Sequence, residues 1–329
     1  MKRVLLSIAF VSSLLHHTYA GELAPLLLVV NKNENTVAFV DAPTLKTIGL
    51  ARTGHHPHEI AVAPDGGTAF IANYGAGDSL SVIDIPKREE VRRIALGAYR
   101  DPHGIQVGQD GRLYVTCEAS RAVVVLDPST GKVLLSIATG QDTTHMLVLT
   151  PGGTKLYTAN LGSASATAID LKAGKVVAQV PTGAGCEGID VTPDGREVWT
   201  TNKAADTITV IDVATDRVLA TLPCSRRPIR VKFTPDGHRA LIACARSDAV
   251  AVFDVAQRVE TRRIATGAAP IGMVIDPLGS RAYVANTDAN EISVIDLNTL
   301  KVVGTIPTGR EPDGLALVGT ALPKRPKRD

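Results

Sequence analysis

Three histidines recur along this chain at nearly constant intervals. His58, His103 and His145 are 45 and 42 residues apart, and Glu187 follows after another 42. Imidazole nitrogens together with a carboxylate are suitable ligands for a divalent first-row metal such as Zn, Cu, Fe or Mn. The sequence therefore predicts a metal site with these four side chains as ligands, provided that the fold brings them together.

The same interval repeats through the whole chain. An Asp ends an apolar, Val- and Ile-rich stretch at seven positions: Asp41, Asp84, Asp127, Asp170, Asp212, Asp254 and Asp296. Each unit contains four short stretches rich in β-forming residues, with turns such as Pro-Asp-Gly between them, and no 3.6-residue periodicity indicates helices. Four strands per unit and seven units predict an all-β, seven-bladed β-propeller with four-stranded antiparallel blades.

The two ends of the repeat predict how the ring closes. The segment after residue 21 supplies strands two to four of one blade, and residues 314–318 supply a lone first strand. We expect the two to pair, because this would remove an open sheet edge. The propeller is therefore expected as one domain over residues 21–319, followed by a disordered basic tail over residues 320–329.

The first twenty residues have the order of a secretory signal peptide. Lys2 and Arg3 precede an apolar run over residues 4–15, and the small residues Ala20 and Gly21 follow. The apolar run is too short to span a bilayer comfortably, although an uncleaved anchor is the alternative. We expect residues 1–20 to be removed and the mature protein to be periplasmic or secreted, monomeric and without a membrane span.

Charge and cysteine content exclude some classes of function. The formal net charge of the chain is +2, so no broad basic face is expected and nucleic acid is not an expected partner. The four cysteines are Cys117, Cys186, Cys224 and Cys244. Export would permit disulfides, but the spacing matches no zinc or haem-attachment motif and indicates no pairing.

The second strand of each unit ends in a short motif. These motifs are VVN at 29–31, IAN at 71–73, VTC at 115–117, TAN at 158–160, TTN at 200–202, IAC at 242–244 and VAN at 284–286. Together with the Pro-Asp-Gly turn and the Val-Ile-Asp strand, they make the chain resemble the YVTN family of seven-bladed β-propeller repeat proteins. The nearest matches are YVTC at 114–117 and YVAN at 283–286.

This resemblance covers nearly all of the chain after residue 20 and implies the propeller fold. It does not imply one activity. Similar propellers include extracytoplasmic binding and surface proteins, lactonases, lyases and the haem d1 domain of cytochrome cd1 nitrite reductase. Function must therefore be argued from the site that this chain builds on the fold.

The recurring His and Glu positions fall where the first strands of four consecutive blades begin. In a propeller the first strands line the central channel, so the symmetry of the ring would gather these side chains at one mouth. The equivalent positions of the other blades hold Ile229, Ile271 and Asp313. The alternative is that the histidines only cap the channel by hydrogen bonding to loop carbonyls.

Hairpin symmetry predicts a partner for each candidate ligand. The predicted pairs are His58 with Asn73, His103 with Cys117, His145 with Asn160, and Glu187 with Asn202. We expect the partners to orient the ligands or to contact a bound molecule. Cys117 could add a soft sulfur ligand that favours Cu, or it could be a small buried substitute for Asn. Glu118 and Tyr74 follow two of these strand ends and could also reach the mouth.

The opposite side of the mouth is predicted to be cationic. Arg226, Arg227, Arg230 and Lys232 cluster near the start of one first strand. Arg230, with Asp313 nearby on the ring, is a candidate contact for a small anionic ligand. The alternative is that these arginines are solvated loop residues.

Three functions are compatible with these features. The first is an exported propeller that binds a ligand or a protein partner at the channel mouth, with a divalent transition metal held there. The second is a metal-dependent lactonase, lyase or oxidoreductase that uses the same site. The third is a haem d1-like cofactor binder with a channel histidine as axial ligand. The sequence contains no Ser-His-Asp ordering, phosphate loop or dinucleotide fingerprint.

Overall fold

The computed structural model describes residues 25–319, and these residues form a closed ring of seven β-sheets. Each sheet has four antiparallel strands, and the 28 strands are numbered β1 to β28 along the chain. Two single-turn 3-10 helices lie at Lys32–Glu34 and Gly75–Gly77. The predicted all-β, seven-bladed fold is therefore confirmed. The predicted signal peptide at 1–20 and the predicted basic tail at 320–329 lie outside the described residues.

The innermost strands contact each other around the central channel. They are β4 (Pro57–Val62), β8 (Pro102–Val107), β12 (Thr144–Leu149), β16 (Cys186–Val191), β20 (Pro228–Phe233), β24 (Pro270–Ile275) and β28 (Pro312–Val318). The second strands are β1 (Leu26–Asn31), β5 (Thr68–Asn73), β9 (Leu113–Cys117), β13 (Lys155–Asn160), β17 (Glu197–Asn202), β21 (Arg239–Cys244) and β25 (Arg281–Asn286).

Two further layers complete each blade. The third strands are β2 (Thr36–Asp41), β6 (Ser79–Asp84), β10 (Ala122–Leu126), β14 (Ser165–Asp170), β18 (Thr207–Asp212), β22 (Ala249–Asp254) and β26 (Glu291–Asp296). The outer strands are β3 (Lys46–Arg52), β7 (Glu89–Ala95), β11 (Val133–Ala138), β15 (Lys175–Pro181), β19 (Arg217–Pro223), β23 (Val259–Ala265) and β27 (Lys301–Pro307).

Burial follows the layers, because neighbouring blades pack face to face. All five residues of β9 and of β10 are buried, whereas in β15 exposed residues alternate with partly buried ones and only Val180 is buried. The hydrophobic clusters lie between blades: Trp199 of one blade packs against Phe233 and Phe253 of the next, with a distance of 5.6 Å between the Trp199 and Phe233 ring centroids. Val- and Ile-rich strands suit this arrangement because both of their faces are covered.

The ring closes by pairing the two ends of the described chain. β28 is antiparallel to β1, with Leu26 opposite Val318 and Val29 opposite Leu315, and the sheet order is β28, β1, β2, β3. This confirms the predicted closure. Within residues 25–319, no helix has the length and apolar character needed to cross a bilayer.

The first and second strands of each blade do not pair in simple register. In the blade that begins with β4, Pro57 is opposite Asn73 and Ile60 is opposite Ile71, so a bulge lies between them. His58 is one of the bulged residues. The same irregularity recurs at the start of every inner strand. A bulge turns side chains away from the regular alternation and is common next to functional sites.

Candidate functional site

The bulged starts of four inner strands place the predicted ligands in one row. His58 and His103 have ring centroids 4.9 Å apart, and those of His103 and His145 are 3.8 Å apart. The Nε2 atom of His145 lies 3.7 Å from a carboxylate oxygen of Glu187. The four residues that the sequence singled out therefore line one arc of the channel mouth, as the symmetry argument required.

These side chains border a cavity of about 210 Å³. The other arc of the cavity is formed by the equivalent positions of the remaining blades, Ile229, Ile271 and Asp313. Arg230 and Met146 line both this cavity and a second one of about 550 Å³. The mouth is therefore a small pocket in which an arc of imidazoles and Glu187 faces an arc where Ile229 and Ile271 lie among the charged side chains of Lys32, Arg227, Arg230 and Asp313.

Among the described residues, a cluster that could hold a metal ion includes a carboxylate outside the predicted set. One ligand atom each from His103, Glu118 and His145 lie within 4.8 Å of one another. Glu118 directly follows β9; its carboxylate contacts Nδ1 of His145 and accepts a hydrogen bond of 2.9 Å from the Tyr74 hydroxyl. Glu187 lies on the other side of His145 and forms an ion pair with Lys203. Glu118, which the sequence indicated only as a residue near the mouth, is thus closer to the centre of the site than expected.

The comparisons with known proteins identify the family. The sequence pattern of the YNCE-like beta-propeller family matches residues 10–158, 120–233 and 223–320. The chain belongs to this family. No curated protein matches the chain.

Solved structures share the YNCE-like propeller fold. A chain of hydrazine synthase from Kuenenia stuttgartiensis is 25% identical, with a TM-score of 0.76 over 82% of this chain and 92% of that one. A functionally unknown protein from Desulfotomaculum acetoxidans is 13% identical, with a TM-score of 0.78 over 89% of this chain and 98% of that one. The second similarity shows the fold alone, and it agrees with the resemblance to YVTN propellers inferred from the repeats.

Three groups at the channel mouth of this YNCE-like propeller, His103, His145 and Glu187, differ in charge state. Burial, and then the neighbouring His145, lowers the pKa of His103 well below its usual value, so this imidazole is neutral. Burial also opposes the charging of His145, but hydrogen bonds with Glu118 and Glu187 outweigh it and raise the pKa of His145 to about 9. Burial would raise the pKa of Glu187, yet His145 and Lys203 hold it at about 2. Without a metal, His145 is therefore an imidazolium held between two carboxylates at neutral pH.

His103 is the least satisfied member of the cluster. It is 5% exposed, and its Nδ1 atom has no hydrogen-bond partner within the part of the chain that the structure describes. A buried polar atom without a partner usually costs about 1–3 kcal/mol, so such atoms in native proteins call for an explanation. A ligand bound at this nitrogen would supply the missing partner.

His58 lines the mouth and is held by a hydrogen bond to a loop carbonyl. Its Nδ1 lies 3.0 Å from the carbonyl oxygen of His56, and a carbonyl can only accept a hydrogen bond, so Nδ1 carries the proton. Burial lowers the pKa of His58 to about 4. The bond to a loop carbonyl is the one expected of a capping histidine. Metal-ligating histidines make the same bond with their second nitrogen, because it fixes the tautomer.

The cationic side of the mouth is already paired internally. Arg230 is buried and forms an ion pair with Glu59, and its guanidinium is 3.9 Å from Asp313. Asp313 lies 3.3 Å from Nζ of Lys32, and although burial opposes ionisation, Lys32, His58 and Arg230 lower the pKa of its carboxyl. Sequence reasoning missed Lys32 and Glu59, because neither occupies a repeated polar column. Arg226 and Arg227 are exposed, as the solvated-loop alternative predicted, although Arg227 also lines the cavity, as expected of a cationic side of the mouth.

The predicted pairing of ligands with the Asn column was wrong by one residue. The residues opposite Asn73, Cys117, Asn160 and Asn202 are Pro57, Pro102, Thr144 and Cys186, because the bulge adds one residue to each inner strand. The Asn side chains donate instead to hydroxyl groups of the third strand. Asn202, for example, donates to Thr207 and Thr209 at 3.0 and 2.9 Å. Their observed contacts stabilise the blades.

Cys117 is buried in the hydrophobic cluster between two blades. Burial raises the pKa of its thiol to about 12, so the thiolate that would bind a metal is not populated at neutral pH. The structure therefore favours the small-buried-residue interpretation of Cys117 over a role as a soft copper ligand.

Proposed function

We propose that this YNCE-like propeller is an exported protein that binds a divalent transition metal at the mouth of its central channel. His103, His145 and Glu118 are the central ligands. His58 and Glu187, which the repeat pattern first indicated, flank them. The single observation that carries the proposal is the cluster of His103, Glu118 and His145, in which Nδ1 of the buried His103 has no hydrogen-bond partner among the described residues.

The donor set narrows the class of metal. Two imidazole nitrogens and one carboxylate oxygen are typical ligands of catalytic Zn and of non-haem Fe(II), and they also suit Cu and Mn. Neutral imidazoles and three protein ligands would leave coordination positions open towards the cavity. Those positions are where an exogenous ligand would bind.

Charge balance supports an anionic ligand. With both imidazoles neutral, a divalent cation is offset by the carboxylates of Glu118 and Glu187, and Lys203 leaves one excess positive charge near the site. Lys32 and Arg230 are balanced by Asp313 and Glu59. A small monoanion on the metal would bring the buried mouth to neutrality, which low-dielectric surroundings favour.

A catalytic role is the second candidate. The cavity beside the cluster has room for a small substrate, and a metal with open positions can act as a Lewis acid or redox centre, as a lactonase, lyase or oxidoreductase would require. One of the similar solved structures is an enzyme, the hydrazine synthase. A haem d1-like cofactor fits less well, because a cavity of about 210 Å³ is smaller than the ~300–1,000 Å³ of sites for drug-sized ligands.

The test is metal binding by the full chain, expressed with its own N-terminus and purified from the exported fraction. Its mass shows whether the chain is cleaved after Ala20. We expect about one metal ion per chain by elemental analysis, or a rise in Tm of roughly 4–5 °C when Zn²⁺ is added at a hundred times its Kd. His103→Ala and His145→Ala are expected to lose both effects, whereas His238→Ala, at an exposed histidine, is the matched control.

Glu118→Gln and Glu187→Gln separate the two possible carboxylate ligands. Because Glu118 belongs to the central cluster and Glu187 flanks it, we expect Glu118→Gln to weaken Zn²⁺ binding by about 10-fold or more and Glu187→Gln to weaken it less. Wild-type protein that neither contains metal nor responds to Zn²⁺, Cu²⁺, Fe²⁺ or Mn²⁺ would overturn the proposal. So would a Zn²⁺ response that persists in both histidine variants.

A further inference from the structure

One unit of the propeller carries a cysteine at two neighbouring positions of the repeat. In most units a Thr-Gly pair lies in the loop before an inner strand, and an Asn ends the second strand of the same blade. The Gly and the Asn are in contact: a Cβ added to Gly183 would lie 2.8 Å from the Asn202 side chain, and one added to Gly267 would lie 2.7 Å from Asn286. The exceptional unit has Cys224 in place of the Thr, Ser225 in place of the Gly and Cys244 in place of the Asn.

The double replacement brings two sulfur atoms together. The Sγ atoms of Cys224 and Cys244 are 3.8 Å apart, close to van der Waals contact. Cys244 is fully buried and Cys224 is partly exposed, and both are free thiols in this structure. The other unit with a Cys in the Asn column, at Cys117, has Leu96 at the position of Cys224. Its sulfur therefore has no cysteine at the corresponding neighbour.

We propose that Cys224 and Cys244 form a disulfide that joins the loop after β19 to the end of β21. The bond links two consecutive blades, because β19 is the outer strand of one blade and β21 the second strand of the next. To form the bond, the sulfurs need to approach from 3.8 Å to about 2.05 Å. This proposal does not depend on the metal site.

The oxidation is a two-electron thiol–disulfide exchange with a small disulfide such as oxidised glutathione. The thiolate of Cys224, the more accessible sulfur, attacks that disulfide, forms a mixed disulfide and releases one glutathione thiolate. Cys244 then loses its proton and displaces the second glutathione thiolate, which closes the protein disulfide. Two protons leave the protein thiols and two electrons reduce one molecule of oxidised glutathione.

The rate of this exchange is expected to rise with pH. The hydrogen bond with Cys244 and burial both raise the pKa of the Cys224 thiol, so its thiolate is scarce at neutral pH. We therefore choose pH 8.5 for the oxidation and allow it to reach equilibrium. An oxidising compartment or a catalyst would be needed for rapid formation in a cell.

The experiment uses the full chain, equilibrated with oxidised glutathione, denatured without reductant and alkylated. We expect two alkylated thiols, Cys117 and Cys186, and four after reduction. Trypsin is expected to release a disulfide-linked pair of peptides, residues 218–226 joined to residues 240–246. Wild-type Tm is expected to fall by several degrees on reduction, whereas the Tm of Cys224→Thr, which restores the repeat residue, is expected not to respond.

Cys117→Ala is the matched control, and it is expected to keep both the linked peptides and the response of Tm to reduction. Cys224→Thr lies in a partly exposed loop, so the test does not rely on replacing the fully buried Cys244. Four alkylated thiols in the equilibrated wild-type protein would overturn the proposal. Linked peptides that contain Cys186 or Cys117 in place of Cys224 or Cys244 would also overturn it.

Discussion

The close packing of the inner strands makes a strong prediction for Gly272→Ala. Gly272 lies in β24, and a Cβ added to it would lie 1.8 Å from the backbone carbonyl oxygen of Asp313 in β28. Real Cβ atoms essentially never approach another heavy atom closer than 3.0 Å. The obstacle is backbone of the ring-closing strand, so no flexible side chain can move aside. Gly188 and Gly314 make equivalent approaches to the next inner strand, which shows that the requirement belongs to the ring.

The expected cost lies at the upper end of the range for overpacking a core, about 3 kcal/mol. For a domain of this size, such a loss corresponds to a decrease in Tm of roughly 5 °C. The matched control is Gly67→Ala, because a Cβ there would lie 3.5 Å from a carboxylate oxygen of Asp65, an ordinary contact, and the φ angle of Gly67 is not in the left-handed region. We expect its Tm to change by less than about 1 °C.

Differential scanning calorimetry of both variants provides the measurement, and Zn²⁺ binding provides a second one. Gly272 lies on the arc opposite the histidines, so a folded Gly272→Ala protein is expected to keep its metal response. Equal melting temperatures for the two variants would show that adjacent inner strands are not in backbone contact here. That result would refute the packing on which the geometry of the channel mouth depends.

Two further predictions concern residues that we assign to folding. Hydrogen bonds from Thr215 lower the pKa of Asp212 in the folded state, so the unfolded state binds a proton more readily. The difference in Tm between wild type and Asp212→Ala is therefore expected to be constant above about pH 5 and to shrink as the pH falls through the folded-state pKa. Thermal melts from pH 7 to pH 2 provide the measurement. Asn202→Ala removes a part-buried hydrogen bond to Thr207 and a buried one to Thr209, so we expect Tm to fall by roughly 2–5 °C with Zn²⁺ binding retained. Loss of Zn²⁺ binding at unchanged Tm would instead indicate that Asn202 belongs to the metal site.

The fold could be predicted almost completely because the same four-strand pattern recurs in seven units of the sequence. The seven Asp residues that end or directly follow the third strands fix both the period and the number of blades. The ring closure was predictable because residues 26–52 supply three strands of a blade and residues 312–318 supply only one. The sequence could not locate the bulges, because they arise where inner strands converge and not from a distinctive residue type.

The site was predictable only where it follows the symmetry. His58, His103 and His145 occupy equivalent positions, so the ring necessarily brings them to one mouth. Glu118 is different, because it follows the end of a second strand and occupies no repeated position. Its contact with His145 of the next blade depends on its side-chain conformation, which the repeat does not determine. Lys32, at the start of a 3-10 helix near the closing strand, contacts Asp313 only because the two ends of the chain meet.

The ring also provides an argument against a purely structural role for the histidines. The same position holds Ile229 and Ile271 in two blades, so the fold accepts an apolar residue there without loss of the ring. Burying imidazoles instead opposes their charged form, and it leaves Nδ1 of His103 without a partner among the described residues. If these positions only capped the channel, an apolar side chain there would stabilise the folded state more than a histidine, since burial of a methylene is favourable and burial of an unpaired nitrogen is costly. The arc of imidazoles is therefore better explained by a bound ligand than by packing, and the metal-binding test with His103→Ala addresses that difference directly.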